Sequence, residues 1–118
     1  MDSAFVCDRK IFSYIYELES RRSDRDWAST FVSRIKIEAE EASESKGGEA
    51  GSNLLDILRT KLRNGDVVCQ LDDDQYAIIL YDINSNDTAS VMDRISNYYL
   101  EGNSNLKNKL EIDYQKLA

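Results

Sequence analysis

The chain has no histidine and no proline in its 118 residues, only two cysteines and five glycines, and a deficit of positive charge. Each absence removes a class of function. Without histidine there is no Ser-His-Asp or Cys-His relay, no ring titrating near neutral pH and no imidazole ligand for zinc. Cys7 and Cys69 lie far outside Cys-x-x-Cys spacing, and no cationic leader followed by an apolar stretch opens the chain. The expectation is a pair of buried thiols in a reducing cytoplasm. The longest apolar runs, such as Tyr76 to Tyr81, are far short of a bilayer span, which predicts a soluble protein with no membrane partner. Fifteen Lys and Arg stand against 22 Asp and Glu, a formal charge of −7. The attraction that dominates phosphate-backbone binding is therefore missing, and direct nucleic-acid binding is not expected.

What is present fits one domain spanning 1–118, because 42% hydrophobic and 31% charged residues allow a packed core under a hydrated surface. Ile11, Phe12, Ile15, Tyr16 and Leu18 recur at helical spacing, so residues 8–22 should form an amphipathic helix, and 1–27 reads as that helix and its connector. From residue 28 the period becomes two: Phe31, Ser33, Ile35 and Ile37 share one face of a strand, with Val32, Arg34, Lys36 and Glu38 on the other. Residues 40–51, rich in Glu, Ser, Lys and Gly, read as a flexible loop.

Leu54, Leu55, Leu58 and Leu62 restore helical spacing, with Ser52 or Asn53 as cap and Asn64-Gly65 as a left-handed exit. Two β-rich runs, Asp66 to Leu71 and Gln75 to Tyr81, flank the acidic tip Asp72-Asp73-Asp74 and predict a hairpin. Asn84 to Asp87 supplies cap residues for a helix striped by Ala89, Met92, Ile95, Tyr98 and Tyr99. Leu110, Ile112 and Tyr114 then alternate with Lys109, Glu111, Asp113 and Gln115 in a closing strand. The core over 28–118 is therefore βαββαβ: an α+β, ferredoxin-like antiparallel sheet with helices packed on one face, plus the N-terminal helix. Right-handed crossovers put the first of these strands and the second hairpin strand at the centre.

The run from Leu62 to Leu80, with its Arg-Asn-Gly-Asp and Asp-Asp-Asp-Gln-Tyr segments, resembles the GGDEF region of diguanylate cyclases. The resemblance extends to Met92-Asp93-Arg94-Ile95 and implies a nucleotide-cyclase-like fold. Its signature is altered: Asp72 and Asp73 stand at the two glycines, Asp74 and Gln75 at the two acids and Tyr76 at the phenylalanine. Side chains at the glycine positions add bulk and negative charge where a triphosphate approaches the backbone. An amide at Gln75 weakens a hard-cation site, and the family's Asp-x-Asp metal segment falls on Lys36-Ile37-Glu38, placing a cation at the first metal position. The resemblance with these departures implies no catalytic residue, no metal, no cofactor and no enzymatic activity. Phe5-Val6-Cys7-Asp8 and the pattern from Ile11 to Arg22 are also similar to the degenerate GGDEF-like domain of bacterial transcriptional activation (BTAD/SARP-type) regulators of Firmicutes. That likeness implies a regulatory and protein-interaction domain of a cytoplasmic transcriptional regulator. Its partners would be the DNA-binding and activation domains of the same parent chain or another subunit.

Two further features carry a sharp and a bland reading. Arg63, Asp66 and Arg94 match the Arg-x-x-Asp product-binding site of the cyclase family, so a cyclic-diguanylate or other nucleotide receptor is the alternative function. The structural reading, which is preferred, has Arg63 and Asp66 fixing a turn by pairing with each other or with Arg94. Trp27, Tyr98 and Tyr99 are either interface anchors or core, and self-association into a homodimer through the first helix is an open option. The triplet Asp72 to Asp74 lacks the ligand spacing of a calcium loop and reads as a solvated turn.

Overall fold

A computed structural model describes the backbone of residues 4–21, 29–39, 46–102 and 108–117. The elements run β1 (Phe5–Cys7), α1 (Arg9–Arg21), β2 (Thr30–Ala39), α2 (Lys46–Lys61), β3 (Val67–Asp72), β4 (Gln75–Tyr81), α3 (Ser85–Gly102) and β5 (Asn108–Lys116). The five strands form one sheet in the order β1-β3-β4-β2-β5, with β1 parallel to β3 and the remaining neighbours antiparallel. The expected α+β architecture is present, and β4 and β2 hold the centre as the crossover rule requires. Strand β1 is an addition that three residues are too few to announce by periodicity. It makes β3 an interior strand.

Period-two alternation sends side chains to two separate cores. Ile35, Ile37, Val68, Tyr76, Ile78 and Leu80 pack with Leu54, Leu58 and Leu62 of the α2 segment and Met92, Ile95 and Tyr99 of α3. Val32, Val67, Cys69, Ala77 and Ile79 point to the opposite face, where Phe12 and Ile15 of α1 cover them. Each fully buried large apolar side chain contributes about 1.5–3 kcal/mol, so the central strands hold both layers at once. Ser33, fully buried, donates to the Asp113 carbonyl at 3.0 Å and to Met92 Sδ at 3.2 Å, which ties β2 to β5 and α3.

Helix starts follow cap chemistry. Asp8 accepts from Ile11 N at 2.9 Å to open α1, and Asn84 accepts from Asp87 N at 2.7 Å to open α3. The start of α2 differs from expectation. It lies at Lys46, inside the stretch read as a loop and well before Ser52 or Asn53, while residues 40–45 are outside the described set. Gly47, Gly48 and Gly51 each cost about 1 kcal/mol relative to alanine and hide the period, but a helix already nucleated propagates at one hydrogen bond per residue. The exit from α2 differs too. No described glycine has positive φ, and Gly65 is not left-handed. The turn is closed instead by the Asp66 carboxylate, which accepts from Arg63 N at 3.0 Å, and by Asp66 N donating to the Arg63 carbonyl at 3.0 Å. Trp27 and the connector at 22–28 fall outside the described residues.

Candidate functional site

The sequence-derived site residues divide between the two ends of the β3–β4 hairpin, separated by the length of β3, about 20 Å for six residues.

At one end the last turn of α2, the start of β3, the end of β4 and the start of α3 enclose a cleft of about 190 Å³. Arg63, Asp66 and Arg94 all line it, so the structure brings the Arg-x-x-Asp set together. Lys61, Asp82 and Asp87 join them, giving three cations and three acids around one opening. Asp66 is only 2% exposed. Its carboxylate accepts from Arg63 N, from Arg63 Nε at 3.4 Å and Nη2 at 3.5 Å, and from Tyr81 N at 3.4 Å. Arg63 Nη2 also donates to the Tyr81 carbonyl, so one guanidinium spans from the start of β3 to the end of β4. Its side chain stays more than half exposed. A buried carboxylate with several donors is fixed because removing them would leave an uncompensated charge away from water. Lys61 lies over the Tyr98 ring, 4.5 Å from its centroid. Among the described residues Arg94 forms no ion pair, and it is the cation of the set least committed to its neighbours. Sequence reasoning missed the Tyr81 carbonyl and Asp82, whose φ of 52° turns the chain out of β4 toward α3. Asp is among the few residues that enter that region at low cost.

At the other end Asp73 and Asp74 form the two-residue turn between Asp72 and Gln75, which pair across the hairpin after a register shift at Gln70/Asp72. Asp72 Oδ1 accepts from Asp73 N at 2.8 Å, and the Asp74 carbonyl accepts from Ile37 N at 2.8 Å, which fastens the tip to β2. Lys36 sits in register with Gln75 on one side and Glu111 on the other. It belongs to a ladder of opposite charges on the exposed sheet face, Arg34 with Asp113, Lys36 with Glu111 and Glu38 with Lys109. A hydrogen bond to Glu38, and then that acid's charge, raises the Glu111 carboxyl above its ordinary value, while Lys36 opposes the shift. Tyr76, by contrast, is core: it is fully buried, and burial followed by the charge of Asp73 pushes its phenol up to about 12. Among the described residues no three His, Cys, Asp or Glu side chains are grouped to hold a metal ion, and no helix is long and apolar enough to cross a membrane.

Neither the protein-family models nor the curated proteins give a match. Among solved structures, the chain is similar to the crystal structure of a DGC protein, a diguanylate cyclase, from Thermotoga maritima, with a TM-score of 0.74 and 16% identity. The alignment covers 92% of this chain and 81% of that one. The fold is shared. At this identity the likeness is one of architecture, which agrees with the GGDEF-like fold implied by the Leu62 to Leu80 run. It also overturns one expectation from the sequence, the absence of enzymatic activity. A protein named as a cyclase carries this fold, so an altered signature does not by itself exclude catalysis. Accumulation of cyclic diguanylate from GTP with Mg²⁺ or Mn²⁺ is the direct reading of that activity.

Proposed function

We propose that the chain is a GGDEF-like regulatory domain that works through protein contacts, within a transcriptional regulator whose DNA-binding and activation domains supply the DNA chemistry. One observation carries this reading: large apolar side chains are left on the surface of the N-terminal unit. Phe5, Ile11, Tyr14 and Leu18 are each between 43% and 68% exposed. Such clustering on a monomer marks an interaction surface. The acidic balance of −7 fits a domain whose parent delegates phosphate binding elsewhere. The surrounding reading frame tests the parent context: a winged-helix segment upstream supports it, and a frame without one overturns it. Mixing the domain with the remainder of that regulator tests the contact. Hydrogen exchange slowed over β1 and α1 is expected, and unchanged exchange there counts against the reading.

The second reading, a cyclic-diguanylate receptor, is favoured by the shared cleft of Arg63, Asp66 and Arg94, with Lys61 at its rim. It requires Arg63 and Asp66 to exchange some of their mutual bonds for bonds to ligand. That requirement places it behind the first.

A further inference from the structure

The chain's two cysteines, far apart in sequence, meet in the fold. Cys7 ends β1 and Cys69 stands in β3, and the parallel pairing of these strands sets the two residues directly opposite each other. Both side chains leave the sheet toward α1, since both pack in the layer that α1 covers, and neither is in a disulfide. Cys69 is fully enclosed, whereas Cys7 is 9% exposed on a strand that pairs with β3 alone among the described strands. One sulfur is therefore reached from the sheet edge, and the second lies behind it.

Spacing decides what this pair can hold. Neighbouring strands lie about 4.8 Å apart, and side chains leaving one face together keep roughly that separation. A disulfide needs Cβ atoms about 3.5–4.5 Å apart, closer than the strands set them. A metal–thiolate bond is about 2.3 Å long, so two in line span about 4.6 Å and fit with little movement of β1. Zinc and iron–sulfur clusters ask for four ligands. The layer around the pair, with Phe12, Val67, Ala77 and Ile79, adds no donor, and among the described residues no group of three His, Cys, Asp or Glu could complete such a set. Of the cations that thiolates select, monovalent copper is the one content with two.

We propose that Cys7 and Cys69 form a two-coordinate site for monovalent copper, with Arg9 balancing its charge. On binding, two S–H bonds break and two S–Cu bonds form, both protons pass to solvent, and copper keeps its oxidation state. One positive ion on two thiolates leaves a single negative charge, which an apolar layer tolerates only beside a cation. Burial disfavours the Cys69 thiolate, and the charge of Arg9, the first residue of α1, opposes that more strongly than Asp8 adds to it. The ion ties β1 to β3 and, because Asp8 follows Cys7 and caps α1, it steadies the start of that helix as well. Copper binding is separate from the protein-contact reading, and either can fail without the other.

Titrating the reduced full chain, free of oxygen, with Cu(I) held by a colorimetric chelator tests the proposal. One ion per chain is expected. Cys7→Ala and Cys69→Ala should each weaken binding by more than the about 10–100-fold that follows loss of a residue merely supporting a ligand, with circular dichroism confirming that each variant folds. Arg9→Gln, at an exposed position, should weaken Cu(I) about tenfold and leave Hg(II) unchanged, since two thiolates and a divalent ion make a neutral complex that needs no cation. X-ray absorption on the unsubstituted chain should count two sulfur neighbours around copper, a reading that stands even if Cys69→Ala does not fold. Failure to draw Cu(I) from the chelator, binding that survives loss of either thiol, one ion shared by two chains, or three or more neighbours around copper overturns the proposal.

Discussion

The two ends of the β3–β4 hairpin carry the same side chain and put it to opposite use. Asp66, at the base, is enclosed and accepts four hydrogen bonds from Arg63 and Tyr81. Asp72 and Asp73, at the tip, are exposed, and the bond between them is a local one from Asp73 N to Asp72 Oδ1. Burial decides what a carboxylate is worth. In water a charge is already solvated and neighbouring acids merely repel, whereas an enclosed charge makes every donor around it hard to lose.

The largest test of that contrast is Asp66→Ala, which should cost about 3 kcal/mol in denaturant unfolding because Arg63 N and Tyr81 N lose a charged acceptor and the β3–β4 base loses its tie. Asp66→Asn should retain part of it. Arg63→Ala should cost less, about 1 kcal/mol, since the main-chain donors Arg63 N and Tyr81 N stay on the Asp66 carboxylate and the guanidinium that is lost is more than half exposed. High pH supplies a further test in the buried layers. Burial raises the Cys7 thiol to about 11 and the Tyr76 phenol to about 12, while the unfolded chain releases these protons nearer 9 and 10. The unfolded state then binds fewer protons than the native one, so stability should fall as pH rises from about 9 to about 12. Thermal melts across that window check it, and a flat profile contradicts it. Gly65→Ala should change stability upward by about 0.4–1 kcal/mol, because the position lacks positive φ and an added Cβ meets nothing within 4 Å. Smallest of all, Asp72→Asn and Asp73→Asn should each stay within about 0.5 kcal/mol; a loss comparable to Asp66→Ala would erase the contrast between the two ends.

Legibility followed the same division. Strand β4 was readable to the residue, because Tyr76, Ile78 and Leu80 alternate with Ala77 and Ile79 right after an acidic tip. The central order of β2 and β4 followed from chirality alone. Strand β1 was not readable, since a period of two needs more than three residues, and the early start of α2 was masked by glycines. The clustering of Arg63, Asp66 and Arg94 was legible only through family resemblance. No local signal announces that Arg63 will bond a main-chain carbonyl 18 residues away, at Tyr81. On α1 the apolar set of Ile11, Phe12, Ile15, Tyr16 and Leu18 read as one core-facing stripe. The sheet covers only the Phe12 and Ile15 side, and Ile11 and Leu18 remain outside. Periodicity shows how wide an apolar arc is, and only the packed partner shows how much of it is used.

Isothermal titration with cyclic diguanylate puts the central claim, that the Arg63–Asp66 corner is an internal tie and the domain works through its N-terminal surface, to its most direct test. No saturable heat is predicted, because Asp66 is enclosed and Arg63 is spent on it and on Tyr81. Saturable binding that vanishes in Arg63→Ala and in Arg94→Ala, with the circular dichroism of both variants intact, would contradict the account and make the corner a ligand site.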